Sequence, residues 1–599
     1  MLKSERGRSK TTAAADEAAS RPARWRAAGP RLLWAAALVV AGVALFWCFL
    51  LESRTQAGNS DSAGMVLQGW EMFHGNPLLR GWFLSDVTFY TFEVPLDGLV
   101  AIVRGYNADA VHIAAALVYT LLVLSAALLA KGRARGREGV VRALLAAGIL
   151  VAPALVPGAH VLLLAPDHTG IGVPVLLTLL FVDRAPQRWW APVAACVLLT
   201  WAQVDDPIAS VACAAPLAIV CAVRAGATLA VRLRRGRRAR KTPESAAVLP
   251  PVPWYDAALA VAAVASYGLT REVLSAIESA GGFYVHGVAG GTGLAPWSAI
   301  PRQLQWTGQN LLYLFGGNYF GVTQPGAALG YLHLVGVAVT LCGLLLGVWS
   351  LFFRLRWIGT QGAAAGGPGA PGRPGGRADR VTATLVLGIL AMLAAGAFGT
   401  HMAPIQGAHE IAIVLPLSAA LAGRLVGSWL AGALPRGTAE RRGGRPARLL
   451  AASLLAVAGL GYLGALGYNA SRPAQPAEAQ SLADWLLQHH LTSGLAGYWQ
   501  ANITTLASGG QVGLAPLANG GVYGYPWESR ADWYDPGVST ANFVVAVDAP
   551  AASATYSRPS VVRKWYGRPA HTYRFGQYTI MVYDYNLLLR VRQPVAGQL

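Results

Sequence analysis

The sequence predicts an α-helical integral membrane protein with about eleven transmembrane helices and a C-terminal extracytoplasmic α/β domain. Three observations predict it. Of 599 residues, 54% are hydrophobic and only 13% charged, where soluble chains carry about 25% charged residues. Apolar runs recur near 32–51, 110–130, 139–156, 161–182, 190–204, 207–223, 255–273, 327–353, 381–399, 409–430 and 449–467, most of them close to the length that crosses ~30 Å of hydrocarbon. Beyond residue 468 the pattern changes to an amphipathic helix and then β-rich runs bounded by Gly, Asn, Asp or Pro.

Residues 1–30 carry Lys3, Arg6, Arg8, Lys10, Arg21, Arg24 and Arg26 among Ala, Ser and Thr, too polar to pack a core and expected to form a disordered basic cytoplasmic arm. The run 32–51 is longer than the apolar core of a signal peptide and reads as an uncleaved first span. The polytopic domain then extends over 31–468. Its orientation follows from the basic residues: the arm and the segments 131–142, 184–188, 224–241, 354–380 and 424–448 hold about 34 of the 48 Lys and Arg, and the alternate loops about five. That bias places the N-terminus in the cytoplasm and, with an odd number of spans, everything after Tyr468 outside. The expected compartment is the plasma membrane of a bacterium, from the Ala, Gly and Arg abundance. The net charge of +19 therefore suits anionic membrane lipid rather than nucleic acid.

Two long connections on the outer side, 52–108 and 274–326, mix aromatic with polar residues and should fold as short helices at headgroup level. The stretch 362–376 is a Gly/Pro-rich linker with no core to form. In the tail, a helix over 479–490 and strands over 512–517, 543–547 and 578–583 make 469–599 a small domain. All five cysteines lie in apolar runs, so neither a disulfide framework nor a zinc cluster is expected. P-loop, dinucleotide-binding and HExxH patterns are missing from the sequence, which argues against nucleotide-driven transport and zinc proteolysis.

Charges at the outer edge are candidates for chemistry because they are expensive in lipid. Asp61 lies in Asn59-Ser-Asp61-Ser, where a surface helix should begin; it is a candidate base or the N-cap of that helix. Asp86 follows in the same loop, beside Arg80 and a run of aromatics. Arg80, Arg104 and Arg302 are candidates to hold a phosphate or to anchor headgroups. Asp205 and Asp206, before Pro207, could bind a divalent cation or mark the membrane boundary. Asp167 and His168 interrupt an apolar run near Pro and Gly, as a broken helix lining a cavity would. His409 and Glu410 open the tenth span and either face that cavity or sit at a favourable helix N-terminus. Tyr498 and Trp499 belong to a polar-aromatic set that can stack on sugar or pack a core.

The many-span topology with an acidic residue in the outward first loop, here Asp61, resembles the GT-C superfamily of membrane glycosyltransferases. The resemblance implies a sugar donor linked to polyprenyl phosphate, an extracytoplasmic acceptor, and a first-loop Asp acting as base or metal ligand. The sequence departs from common family patterns in having neither an Asp-Glu pair nor a DxD in that loop. The rival expectations are a transporter or lipid flippase, which should show paired broken helices in repeated halves, and a non-catalytic envelope scaffold, which should tolerate neutral substitutions in the first loop.

Overall fold

A computed structural model describes residues 33–154, 158–164, 168–241, 252–285, 293–317, 326–360, 379–400, 402–432, 445–475, 478–548, 550 and 554–592. The basic arm, the 362–376 linker and Asp167 lie outside the described residues.

The chain is an integral membrane protein. Among the described residues eight helices are long and apolar enough to cross a bilayer: Leu33–Ser53, Asp109–Lys131, Ser210–Arg237, Trp254–Ser279, Leu329–Phe352, Arg380–Phe398, Val414–Ala431 and Leu449–Ala470. Among the described residues the other three apolar runs form helices of fewer than 18 residues, so the exact count of eleven spans is not confirmed. The 161–182 run is divided between two helices, Gly158–Leu163 and Gly172–Arg184. Between them, His168 adopts φ 55°.

In chain order, α1 (Leu33–Ser53) leads into α2 (Ser60–Phe73), β1 (Trp82–Phe83) and α3 (Glu93–Arg104). The bundle continues through α4 (Asp109–Lys131), α5 (Gly136–Leu150), α6 (Gly158–Leu163), α7 (Gly172–Arg184) and α8 (Trp190–Asp205). A π-helical turn, Ser210–Ala214, precedes α9 (Ala215–Lys241), followed by α10 (Trp254–Ser279), α11 (Ile300–Leu314) and α12 (Gly326–Thr360). The last bundle elements are α13 (Arg380–Phe398), α14 (Gly407–Glu410), α15 (Val414–Ala431) and α16 (Arg445–Ala470).

The tail holds α17 (Glu478–Gln488), β2 (Ser493–Gly497), α18 (Tyr498–Ala507), β3 (Gly513–Ala518), β4 (Tyr523–Gly524), β5 (Ser529–Arg530), β6 (Phe543–Val547), α19 (Pro559–Tyr566), β7 (His571–Phe575) and β8 (Tyr578–Val582). Six strands form one sheet in the order β4-β3-β2-β6-β8-β7. Its centre is parallel, with β2 paired to both β3 and β6, and its outer pairings are antiparallel. Parallel neighbours need a crossover connection, and α18 supplies it between β2 and β3. Leu495, Val544 and Met581 fill one face of the sheet, while Phe543, Val545 and Ile580 fill the other. That alternation follows from the two-residue period of a strand.

Two contacts position the site. The first-loop helix α2 is buried along Ser60 and Ser62–Gly69 rather than lying on the surface. It crosses α3 where Gly69 and Gly98 leave no room for a Cβ on either backbone. The remainder of the loop reaches the tail: β1 pairs antiparallel with β5, Trp82 opposite Arg530. Trp82 is 1% exposed and meets the Trp533 ring edge-on at 5.6 Å, so this loop aromatic belongs to an interior seam, not to the headgroup level. On the other side of α2, Ile503 and Leu506 of α18 join the apolar core of the bundle.

Candidate active site between the first loop and the C-terminal domain

The N-cap of α2 is Asn59, whose side chain accepts a hydrogen bond from the Ser62 amide at 3.0 Å. Asp61 is therefore released from capping and turns toward the tail. There the hydroxyl of Tyr498, the first residue of α18, donates to the Asp61 carboxylate. The same hydroxyl lies 2.9 Å from Glu528 Oε2. A phenol has one proton to donate, so two carboxyl groups around it hold all three residues in one proton-sharing cluster. Burial pushes the Asp61 carboxyl up to about 6; the hydrogen bond from Tyr498 works against that rise and the nearby Asp86 charge adds to it. Burial, with Asp61 and Glu528 beside it, raises the Tyr498 phenol as well.

Glu528 is 2% exposed and sits at φ 44°, a backbone region that non-glycine residues seldom occupy. Its carboxylate fits only because residue 64 of α2 is glycine: a Cβ there would land on Glu528 Oε2. Asn502 of α18 holds the Glu528 carbonyl at 3.0 Å. The Tyr525 ring packs edge-on against Tyr498 at 5.2 Å, and Trp527 stacks near-parallel to Tyr525 at 6.2 Å. Trp499 is turned aside, its indole N–H bonded to Thr555 Oγ1 at 2.9 Å.

Asp86 is close enough to affect both Asp61 and His168 electrostatically. It lines a cavity of about 310 Å³ that also holds Arg271, Glu278 and Tyr284. Deeper in, His168 Nδ1 pairs with Asp206 Oδ2 at 2.7 Å, and Asp206 Oδ1 accepts from the Ile208 amide at 2.8 Å. Asp205 Oδ1 accepts from the amides of Thr91 at 3.0 Å and Phe92 at 2.8 Å, which ties the end of α8 to the start of α3. Glu93 lies fully buried next to Asp205, with clearance given by Gly170. Burial and the charges of Asp205 and Asp206 raise its carboxyl well above the usual carboxylate range.

Glu410 lies within electrostatic reach of His168 and lines a largely apolar cavity of about 860 Å³ with Ile208, Trp297, Met392 and Met402. Tyr498 thus joins Glu528 to Asp61 by hydrogen bonds, and Asp86 lies within electrostatic reach of both Asp61 and His168. Both cavities are within the size range of small-molecule sites. His409 stands next to Glu410, its ring edge-on to His160 at 6.4 Å.

The three arginines expected to hold phosphate are elsewhere. Arg80 and Arg104 are exposed, and Arg302, also exposed, lies over the Trp306 ring at 5.0 Å. None of the three makes an ion pair to these carboxylates among the described residues. Arg104 ends α3, where a cation is favoured without further function. The Asp205–Asp206 pair fits a cation poorly: three of its oxygens already accept or pair as described, and the described residues contain no group of three His, Cys, Asp or Glu side chains arranged to hold a metal ion.

Sequence reasoning missed Glu528, Tyr525 and Arg271. Glu528 is an ordinary glutamate in Tyr525-Pro-Trp-Glu528-Ser-Arg530, and only the packing of α18 on α2 brings it to Asp61. Glu93 follows the aromatic run Phe89-Tyr90-Thr91-Phe92 in the sequence, where nothing local announces its burial.

No family model matches the chain, and none of the curated proteins does. Among solved structures it is similar to ArnT from Cupriavidus metallidurans bound to undecaprenyl phosphate, 14% identical over 93% of this chain and 98% of that one, with a TM-score of 0.45. It is also similar to the archaeal oligosaccharyltransferase AglB from Archaeoglobus fulgidus in complex with an inhibitory peptide and a dolichol-phosphate, 13% identical over 85% of this chain and 69% of that one, with a TM-score of 0.43. At this distance the chemistry has to be read from the chain's own residues.

Proposed function

We propose that this chain is a membrane glycosyltransferase that moves a sugar from a polyprenyl-phosphate donor to an extracytoplasmic acceptor, with Asp61 as general base. The observation that carries the reading is Asp61 itself: a half-buried carboxylate, bonded by Tyr498, raised to about 6 and within electrostatic reach of Asp86 on the wall of a cavity.

In the proposed step the acceptor hydroxyl loses its proton to Asp61 as its oxygen bonds to the anomeric carbon. The bond from that carbon to the phosphate oxygen breaks, and the phosphate leaves with the electron pair on the carrier lipid. A base with a pKa near the working pH is effective because it is mostly deprotonated yet still accepts the proton. Arg271, on the wall of the Asp86 cavity, is the best-placed cation for the departing phosphate, and the aromatic pair Tyr525 and Trp527 offers a stacking surface for sugar. The apolar cavity next to Glu410 would take the first isoprene units of the carrier. With the N-terminus in the cytoplasm of a bacterial cell, this face of the protein would open to the outside, in line with the basic residues of the opposite loops.

The test is Asp61→Asn in membranes supplied with polyprenyl-phosphate sugar, with transfer and lipid binding measured separately. Loss of about 10²–10⁴-fold in turnover with lipid binding retained is expected for a general base. Unchanged turnover removes Asp61 from that role.

A further inference from the structure

A second polar cavity lies at the other end of the bundle. Helix α13 starts there at Arg380 and runs for 19 residues to Phe398, on the wall of the apolar cavity. At 1.5 Å per residue the two are about 27 Å apart, close to the thickness of a bilayer's hydrocarbon. This second cavity has a volume of about 580 Å³ and is lined by Arg133, Arg142, Arg224, Arg380 and Arg424 from five different parts of the chain.

The acidic residues around it are already engaged. Arg424, 6% exposed, pairs with Asp183 at 3.0 Å and with Asp379, and its other nitrogens donate to the Leu129 carbonyl at 2.8 Å and to Thr382 at 3.2 Å. Asp256 binds Arg380 at 2.5 Å and lies 3.5 Å from Arg224. Glu138 pairs with Arg142 at 2.5 Å. Arg133 differs from the rest: its Nε donates to the backbone carbonyl of Asp183 at 2.6 Å, and it makes no ion pair among the described residues. Among the described residues one guanidinium is therefore without a carboxylate, at a cavity that the N-terminus of α13 also borders with its partial positive charge.

Local structure holds this arrangement. Gly132 ends α4 at φ 51° and turns the chain so that Arg133 enters the cavity; its own Cβ position faces Arg424 Nη1 at 3.0 Å and Asp183 Oδ2 at 3.1 Å. Gly427 lets α15 approach the Arg142 backbone so closely that a Cβ would stand 2.9 Å from its Cα.

We propose that this cavity binds a phosphate group, with Arg133 as the residue that discriminates for the anion. Arginine forms paired, charge-assisted bonds to phosphate oxygens, and basic pockets between membrane helices hold anionic headgroups. The ligand is either the headgroup of an anionic membrane lipid or free phosphate. The site is separate from Asp61 and does not depend on the glycosyl-transfer reading.

The experiment uses the full chain in nanodiscs of phosphatidylcholine doped with phosphatidylglycerol, and native mass spectrometry of the retained lipid. Wild type should retain phosphatidylglycerol in preference to phosphatidylcholine, and Arg133→Gln should lower that retention by about tenfold, the loss of one charged hydrogen-bonding partner. Arg133→Lys should restore part of it. Arg188→Gln, exposed on the same end but outside the cavity, serves as the control and should change little. Displacement by inorganic phosphate would identify a site for the phosphate group itself; Arg133-dependent retention that phosphate does not displace would identify the lipid headgroup. Equal retention of the two lipids with no effect of inorganic phosphate, or equal losses in the Arg133 and Arg188 variants, overturns the proposal.

Discussion

Tyr498 donates its phenolic proton to Asp61 across 437 residues of sequence. The bond couples the start of the first-loop helix to the start of the tail's crossover helix, and it makes the ionisation of Asp61 a property of the assembled protein. Each expectation about the site follows from that coupling.

Turnover should have an acid limb set by Asp61. The carboxyl stands at about 6, and a base works only when deprotonated, so the rate should fall about tenfold per pH unit below that point. Rate measurements across pH 4.5 to 8 with a fixed donor check this. A rate that stays flat through that range would exclude Asp61 as the titrating base.

Tyr498→Phe and Asp86→Asn should move that limb in opposite directions. The Tyr498 bond favours the charged form of Asp61 and the Asp86 charge disfavours it. Removing the hydroxyl therefore raises the Asp61 pKa and shifts the limb to higher pH, while neutralising Asp86 lowers it and shifts the limb down. The pair of pH profiles tests the signs directly, because damage to the fold would reduce the rate without separating the two curves.

Gly64→Ala should detach Glu528 from the cluster. The added methyl meets a carboxylate attached to a buried backbone, and overpacking of this kind costs roughly 1–3 kcal/mol. The variant should still insert into membranes, since α2 is not one of the spanning helices, but its tail should become more sensitive to limited proteolysis and its activity should drop.

Glu93→Gln should flatten the alkaline side of the stability profile. The folded carboxyl is raised well above its ordinary value of 4.5, so Glu93 contributes most below about pH 4.5 and its contribution fades as the pH climbs through the raised value. A glutamine keeps the shape and cannot ionise. Melting temperatures from pH 5 to 9 should decline less steeply in the variant than in wild type; parallel profiles would contradict the assignment.

The helices of the bundle were legible because each must be long and apolar by itself. The run 190–204 became a helix of nearly the same bounds, Trp190–Asp205, whereas the run 161–182 is shared between two helices, Gly158–Leu163 and Gly172–Arg184, that its hydropathy did not separate. The helix after Asn59 was legible from its capping pattern, yet its burial was not: Ser60, Ser62 and Gln68 are polar and are enclosed by elements distant in sequence, the Ser62 hydroxyl donating to the Leu164 carbonyl. In the tail, the runs at 512–517 and 543–547 stood out by β-branched and apolar residues. β2, Ser493–Gly497, did not, because a strand of small residues carries little side-chain signal.

By itself, the sequence determined a membrane-embedded helical chain with a separate α/β tail and an acidic first loop, because hydropathy and residue period are local properties. Only the tertiary structure decided that Asn59 rather than Asp61 caps α2, that Tyr498 and Glu528 meet Asp61, and that Arg80, Arg104 and Arg302 stay away from it. Those outcomes depend on which helices touch, and a carboxylate's environment is set by neighbours hundreds of residues distant, where no local pattern can register them.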